Sequence, residues 1–271
     1  MTLDVAISTY RPEGIERVAA MYLPEIPDVR YVVSWQAHNG AVLPPALAAR
    51  RDVEVHRFDS MGQSHNRNNA LRHCRADIVL MSDDDLTYTD EGLKAVIRAF
   101  EDNPDVNVAT FRSRQTAIRI YPDSCVRLHR RLPRGYYVTT FEIACRRTAI
   151  GSMRFCPELG LNSPMMHGGE DEMFLMAAIR RGLNCRFFPI TICAHPHEST
   201  GTKSRLTAAN LRAAGCVIAL SYGLGATLRV PLKAWRVYRK GQAPLLKALR
   251  HLTRGALMAP GVLRRNHDSL W

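Results

Sequence analysis

Residues 76–86 read ADIVLMSDDDL, an apolar, β-forming run closed by three adjacent carboxylates, Asp83, Asp84 and Asp85. Neighbouring carboxylates repel, and each needs a partner once it leaves bulk water, so the triplet costs stability unless a cation or hydrogen-bond donors compensate. The apolar run is the fourth in a series. LDVAIS (3–8), VRYVVSW (29–35), VEVHRF (53–58) and VNVATF (106–111) read as further strands, with helical stretches between them. Strands alternating with helices over some 110 residues indicate stacked βαβ units and a mostly parallel sheet. Carboxylates at the C-terminal end of such a strand lie where open α/β sheets bind ligands.

The intervening helices carry their own signals. Pro12 suits a first helical turn. GQSHNRNNALRHC (62–74) follows the third strand, and TDEGLKAVIRAFEDN (89–103) has Thr89 as its expected N-cap with acids in the first turn. From 112 to 160 the pattern becomes irregular, with a strand expected within YYVTTFEIACRR (136–147). GGEDEMFLMAAIRRG (168–182) reads as a helix opened by Gly168-Gly169 and closed by Gly182. Strands are expected at CRFFP (185–189) and TICAH (191–195), and helices alone after residue 200.

Composition sets the limits. The 271 residues, 46% hydrophobic and 23% charged, are those of a globular protein with no low-complexity tract. Seven scattered cysteines without a C-x-x-C pair argue against a disulfide framework or zinc ribbon and favour a reducing cytosol. The opening MTLDVAISTY lacks a basic n-region, so no signal peptide is expected. Of 37 Lys and Arg, thirteen lie in 201–271 against one acid, Asp268, so the first 200 residues are neutral and the whole excess of +12 is C-terminal. A polyanionic partner must therefore be met by that segment.

Four stretches carry chemistry. In an extended chain Asp83 and Asp85 would share one side and Asp84 face the other. Such a pair suits Mg²⁺ or Mn²⁺ shared with ligand phosphates, while an acidic turn is the simpler alternative. In HGGEDEMF (167–174) two glycines permit close backbone approach, and Glu170 and Asp171 stand at a helix N-terminus that favours their ionised forms. One of these carboxylates could take a proton from an attacking hydroxyl; acids in a first helical turn are also common without function. CAHPHEST (193–200) aligns His195 and His197 with Cys193, which allows a transition-metal ligand or, less simply, a zinc site disrupted by Pro196. In SHNRNNAL (64–71), Arg67 among amides suits a nucleotide or diphosphate, although Arg and Asn on an exposed helix face need no ligand and that simpler reading is the stronger for the stretch alone.

Taken in order, ISTYRP, GQSHNRNNAL, LMSDDDL, GGEDE and CAHPHES resemble the motif set of the inverting family 2 glycosyltransferases, which have the GT-A fold. HGGEDE is also similar to the Gly-Gly-Glu-Asp-Asp stretch of the β-1,4-galactosyltransferases. The resemblance covers about residues 3–200. It implies a catalytic domain over 1–200, with a nucleotide-sugar half at 1–110 and an acceptor half at 111–200, followed by a helical basic extension at 201–271. By the same resemblance Asp85 would ligate Mn²⁺ or Mg²⁺, Asp83 would share the metal or meet the ribose, and His195, ahead of His197, would complete the site. Thr9, Tyr10, Arg11, Gln36, Arg67, Asp83 and Asp84 would bind the donor. Asp171 would be the general base, and His167, Gly168, Gly169 and Glu170 would meet the acceptor.

One departure is plain: many members carry Asp-Asp-Gly-Ser after the second strand, where this chain has SWQAHNG (34–40), so Gln36 would meet the nucleobase through an amide. The implied partners are a nucleotide-diphosphate sugar, UDP-linked by preference, and a glycan or lipid-linked glycan acceptor of cell-surface polysaccharide synthesis. A sugar nucleotidyltransferase is the second enzyme reading, but STYRPEG lacks the glycine-rich loop it would need. A nucleic-acid-binding reading of the tail finds few interleaved aromatics, chiefly Trp235 and Tyr238, and no nucleic acid is expected. The sixteen uncharged residues 213–228 fall short of the roughly 20 that span a bilayer. Within 229–258, Lys233, Arg236 and Lys240 and then Lys247, Arg250 and Arg254 recur at helical spacing, with Leu245, Leu246, Leu249 and Leu252 available for an opposite apolar face, which suits a helix lying in an anionic membrane surface, either of a cytoplasmic protein attached peripherally or packed on its own domain.

Overall fold

The computed structural model describes residues 1–115, 119–195 and 206–270. In chain order the elements are β1 (Leu3–Tyr10), α1 (Arg11–Ala20), β2 (Val29–Gln36), α2 (Pro45–Ala48), β3 (Val53–Phe58), α3 (Gln63–His73), β4 (Ile78–Ser82), β5 (Thr87–Tyr88), α4 (Asp90–Glu101), β6 (Val108–Gln115) and β7 (Val126–Arg127). A 3₁₀ turn (Thr140–Glu142) then leads to β8 (Ile143–Arg146), α5 (Arg147–Ile150), α6 (Glu170–Arg180), β9 (Cys185–His195), α7 (Ala208–Tyr222), α8 (Ala226–Arg239), α9 (Leu245–Arg265) and α10 (His267–Leu270). The chain divides into two compact units: Met1–Met61, His65–Gly151 and Ala178–Glu198 form the first, and Gly62–Ser64, Ser152–Ala177 and Ser199–Trp271 the second. The catalytic-domain boundary expected near 200 thus meets a chain in which Ser152–Ala177 clusters with the C-terminal helices.

The first unit is a mixed sheet in the order β3-β2-β1-β4-β8-β6-β9-β5, with β7 on β9. Pairings among β3, β2, β1 and β4 are all parallel. β8 then runs antiparallel to both β4 and β6, while β6 and β9 are again parallel, so the sheet is mixed where a mostly parallel one was expected. β1, β2 and β4 follow the predicted bounds closely, because a strand buried on both faces reads as an unbroken apolar run, whereas β3, at the edge of the sheet, is half-buried and matches through its β-branched and aromatic residues. Ile15 and Val18 of α1 and Leu93, Val96 and Phe100 of α4 join Val5, Ile7, Val33, Trp35 and Leu80 in one buried core. Thr89 caps α4 as its position predicts, its hydroxyl accepting from Gly92 N–H at 3.0 Å. At the other end of β1 the buried Asp4 accepts from the backbone N–H of Arg75 (2.6 Å) and Ala76 (2.9 Å) and is held by both ends of the Arg30 guanidinium at 3.0 Å. One carboxylate thereby ties β1 to β2 and to the entrance of β4.

Two expectations are corrected here. The strand sought over 136–147 shortens to β8, because Glu142 turns inward and bends the chain ahead of it. Its carboxylate accepts from Ser113 Oγ (2.6 Å), Tyr121 Oη (2.5 Å) and Arg119 (3.0 Å), and burial pushes its pKa up despite the Arg119 charge. The two strands expected at 185–189 and 191–195 are one, β9, whose pairing with β6 shifts register between Thr110 and Arg112. Pro189 sits in that irregular stretch, where a residue with no N–H is tolerated.

The second unit is helical. Leu211 of α7, Val230, Ala234 and Val237 of α8, Ala243, and Ala248 and Leu252 of α9 form its core. Leu252, expected on an outer apolar face with Leu245, Leu246 and Leu249, is instead wholly buried, so the leucines of α9 divide between inward and outward faces. α7 and α9 meet at two glycines. A Cβ at Gly215 would stand 1.9 Å from Leu252 O, and one at Gly255 1.9 Å from Arg212 O, so the two backbones touch where only glycine fits. Glu158 anchors the end of α9, accepting from Arg265 (2.7 Å) and Asn266 (2.9 Å).

Gly255→Val is expected to force α7 and α9 apart and to destabilise the protein by about 1–3 kcal/mol or more, the usual cost of overpacking. Thermal unfolding against the wild type checks this; an unchanged midpoint would contradict the close approach.

Candidate active site

The sheet order 3-2-1-4 has a topological switch. The chain leaves β1 toward β2 and β3, then returns to place β4 on the other side of β1. Ligands of open α/β sheets bind in the crevice that opens at such a reversal, outside the carboxyl ends of the strands. Here those ends are Thr9-Tyr10-Arg11 after β1 and Asp83-Asp84-Asp85 after β4. They are close neighbours, since Thr9 Oγ1 donates to Asp84 Oδ2 at 2.5 Å.

The triplet is a turn between β4 and β5 and not the extended segment that the alternation argument assumed. Each carboxylate has found a different partner. Asp83 Oδ1 accepts from the buried Arg67 guanidinium at 3.0 Å. Asp84 takes Thr9 and Arg17, the latter through Nη2 at 2.8 Å, and burial still pushes its pKa up. Asp85 Oδ2 lies 3.3 Å from His195 Nε2. The like-charge puzzle is thus resolved by spreading the three charges over three separate contacts.

His195 ends β9, and its ring stacks on Phe141 with centroids 5.3 Å apart and an interplanar angle of 8°. That stack and the sheet register hold the imidazole toward Asp85, although the two residues are 110 positions apart. Cys193 is buried in β9, opposite Tyr88 on one side and Ser113 on the other. His197 lies outside the described residues. Among the described residues, no group of three or more His, Cys, Asp or Glu is placed to hold a metal by itself. The Asp85–His195 pair nevertheless suits an ion such as Mg²⁺ or Mn²⁺ that takes one or two protein ligands and fills its shell with ligand phosphates and water.

The remaining donor-side residues divide. Tyr10 is half-buried and Arg11 exposed, the guanidinium lying 5.0 Å from the Tyr10 ring centroid. Arg11 has φ 66° and Ala37 φ 53°, so the chain leaves both β1 and β2 through left-handed non-glycine residues. Such conformations cost about 1–3 kcal/mol and tend to cluster at ligand sites. Nothing in the motif pattern announced them. Thr9 and Gln36 are each only 1% exposed. The Gln36 amide nitrogen donates to Ser60 O, which places the side chain expected at the nucleobase in the interior. The amides of SHNRNNAL also have structural duties that the sequence reading missed. Asn66 Nδ2 donates to Thr9 O at 2.7 Å and Asn69 Nδ2 to Ser34 Oγ at 2.8 Å, so α3 is stitched to β1 and β2 while Arg67 is aimed at Asp83.

The second unit holds the other motif. His167 donates its backbone N–H to Ala209 O (3.3 Å) and accepts at its carbonyl from Asn210 Nδ2 (2.8 Å), which fastens the stretch to α7. The two glycines differ. Gly169, φ 84°, closes on α7, where a Cβ would stand 2.7 Å from Val217 Cγ2, whereas Gly168, φ 101°, has nothing within 4 Å of its would-be Cβ. Glu170 and Asp171 then open α6, the former buried and the latter half-buried. Gly160, φ 98°, passes so near that a Cβ would come 3.3 Å from Glu170 Cδ and 3.1 Å from Ser64 Oγ.

Residues 44–155 of the chain match the model of glycosyl transferase family 2, and the mixed α/β sheet with its flanking helices is similar in fold to the GT-A glycosyltransferases. That match takes in Arg67 and the carboxylate triplet and ends before Glu170, Asp171 and His195. Among curated proteins it is similar to the pre-mycofactocin glycosyltransferase of Mycobacterium tuberculosis, 29% identical over 167 residues, 56% of this chain and 34% of that protein. The chain thus spans about a third of the length of the curated relatives it matches. Among solved structures, residues 1–349 of S. aureus TarS in complex with UDP-GlcNAc superpose with TM-score 0.62 at 14% identity, covering 100% of this chain and 88% of that one. The same protein in complex with UDP gives 0.61 at 15% identity, covering 96% and 92%.

Asp84→Ala removes the acceptor of both Thr9 and Arg17 and is expected to cost about 1–3 kcal/mol, since it leaves the buried Thr9 hydroxyl without its carboxylate. Chemical denaturation checks it; stability within about 0.5 kcal/mol of wild type, the usual effect of surface substitutions, would contradict the role of this link.

Proposed function

We propose that the protein transfers a sugar from a nucleotide-diphosphate sugar to a hydroxyl of a glycan or lipid-linked glycan, with inversion at the anomeric carbon. The observation that carries the reading is the pairing of Asp85 with His195 at the switch point of the sheet, beside the Arg67–Asp83 pair. A catalytic or binding role would gather these groups at the carboxyl end of β4, where a purely structural acidic turn needs no imidazole. The matched family region and the GT-A-like fold support the reaction class, and the UDP and UDP-GlcNAc held by TarS support a UDP-linked donor.

In this reading Tyr10, Arg11 and Asp83 face the nucleotide, and Arg67 balances negative charge on the departing diphosphate. Asp85 and His195 would hold a divalent cation, Mn²⁺ or Mg²⁺, which would supply charge neutralisation at the diphosphate. Asp171, ionised at the N-terminus of α6, removes the proton of the acceptor hydroxyl. The acceptor oxygen forms its bond to the anomeric carbon as the bond to the diphosphate oxygen breaks, and the nucleoside diphosphate leaves with the electron pair. His167, Gly168 and Glu170 orient the acceptor, Gly168 being the glycine of the pair whose Cα is open. The products belong to cell-surface polysaccharide synthesis on the cytoplasmic side.

Asp171→Asn is expected to retain donor binding by calorimetry while lowering transfer at least about a hundredfold, the lower range for a lost general base. Transfer at the wild-type rate would overturn the base assignment. Excess EDTA is expected to abolish transfer and Mn²⁺ or Mg²⁺ to restore it; full activity in EDTA would remove the metal role of Asp85 and His195.

A further inference from the structure

The helical unit carries a surface that sugar transfer does not use. On α8 and the turn before it, Leu224, Leu228, Leu232 and Trp235 recur at intervals of four, four and three, so they form one stripe along the helix. All four are exposed, Leu224 by 91% and Leu228 by 79%, and Tyr238 continues the stripe by one more turn. The opposite face of α8, with Val230, Ala234 and Val237, is in the core. Beside the stripe, one position along from Leu228, Leu232, Trp235 and Tyr238, run Arg229, Lys233, Arg236 and Arg239, all exposed.

The next helix repeats the pattern. Leu246 and Leu257 of α9 are 80% and 77% exposed, with Lys247, Arg250 and Arg254 exposed between them. No Asp or Glu occurs from 199 to 267, so α7, α8 and α9 carry no acid of their own there, and the acid that faces Lys233 is Glu172 of α6. Isolated exposed leucines need no explanation, but an aliphatic and aromatic stripe flanked along its length by bases does.

We propose that this face docks in the interface of an anionic lipid bilayer, with the helices lying in the plane of the membrane. Charge and apolarity select the partner together. Bases alone would suit any polyanion, but a nucleic-acid backbone offers nothing to Leu224, Leu228, Leu232, Leu246 and Leu257. An anionic bilayer takes both, the bases at the headgroups and the leucines among the upper acyl carbons, with Trp235 and Tyr238 at the boundary they favour.

A crossing arrangement is disfavoured, although the helical run Ala208–Arg239 is long and apolar enough by length and composition to span. α7 supplies the buried side of this unit, in backbone contact with α9 at Gly215 and Gly255, and insertion would strip it from its core. Arg229 and Lys233 would also be drawn toward the apolar interior. The surface is defined within the second unit alone and does not depend on the transfer chemistry.

The test is co-sedimentation of the full chain with vesicles of phosphatidylcholine alone and of phosphatidylcholine mixed with phosphatidylglycerol. Partition onto the mixed vesicles only, weakened by salt, is expected. Arg229→Gln with Arg236→Gln is expected to weaken it roughly thirtyfold, a factor of about five for each base. Leu224→Ser with Leu228→Ser is expected to weaken it as well, and the exposure of both residues leaves the unfolding midpoint unchanged. Trp235 emission should move to shorter wavelength on the mixed vesicles, a shift lost in Trp235→Phe. Absence of wild-type partition, or wild-type partition by either double variant, overturns the proposal. Tight binding to duplex DNA or RNA that the arginine variant loses and the leucine variant keeps assigns the face to a nucleic acid and overturns it equally.

Discussion

The parallel pairing of β1 with β4, Leu3 opposite Ile78 through Ile7 opposite Ser82, is the constraint from which the candidate site follows. It places two strand ends side by side although they are some 75 residues apart in the chain. Only because β1 and β4 run in step does Thr9 reach Asp84 and does the carboxylate triplet open beside Tyr10 and Arg11. At the other end of the same pair, Asp4 fixes the register by accepting from the backbone at Arg75 and Ala76. A strand slip of one residue would reverse which side chains face the core, and Val5 and Ile7 leave no room for that.

The three carboxylates after β4 show how a fold tolerates crowded like charge. Each is met from a different direction: Asp83 by Arg67 from α3, Asp84 by Arg17 from α1 and Thr9 from β1, and Asp85 by His195 from β9. Two of these pairings serve position as much as charge. The Asp84 contacts tie the turn to β1, while the pairs at Asp83 and Asp85 hold two sets of groups suited to anion and cation binding. The split also explains why α3 is rich in amides. Asn66 and Asn69 spend their donors on the neighbouring strands, which leaves the guanidinium between them as the group aimed at the site.

The helical unit follows a different logic. Its core depends on close helix contact, made possible by Gly215 and Gly255 at the crossing of α7 and α9. Small residues turn inward and much of the longer apolar surface of α8 turns outward beside the bases. A soluble bundle would ordinarily bury Leu224, Leu228 and Trp235 and expose Ala234 and Ala226; here the order is reversed, as expected of a unit with a second apolar neighbour.

Much of this was legible in the linear order of residues. The strands β1 to β4, the Thr89 cap, α6 between its glycines and the division of charge at residue 200 are local matters of periodicity, capping and composition, and those act within a few residues. The motif order likewise indicated the family whose model matches residues 44–155. What the sequence could not settle was long-range. Whether Asp85 or Asp83 meets His195 depends on β9 pairing at the far side of the sheet. The interior position of Gln36 depends on Ser60 lying opposite it. Gly169 read as a glycine for a ligand and proved to be one for Val217, because close approach looks the same in sequence whatever does the approaching. Leu246 and Leu252 differ in the same way: identical side chains six residues apart, one outward and one inward. Helical phase makes both positions apolar candidates, and only the packing of α7 against α9 decides which of them water, or a membrane, can reach.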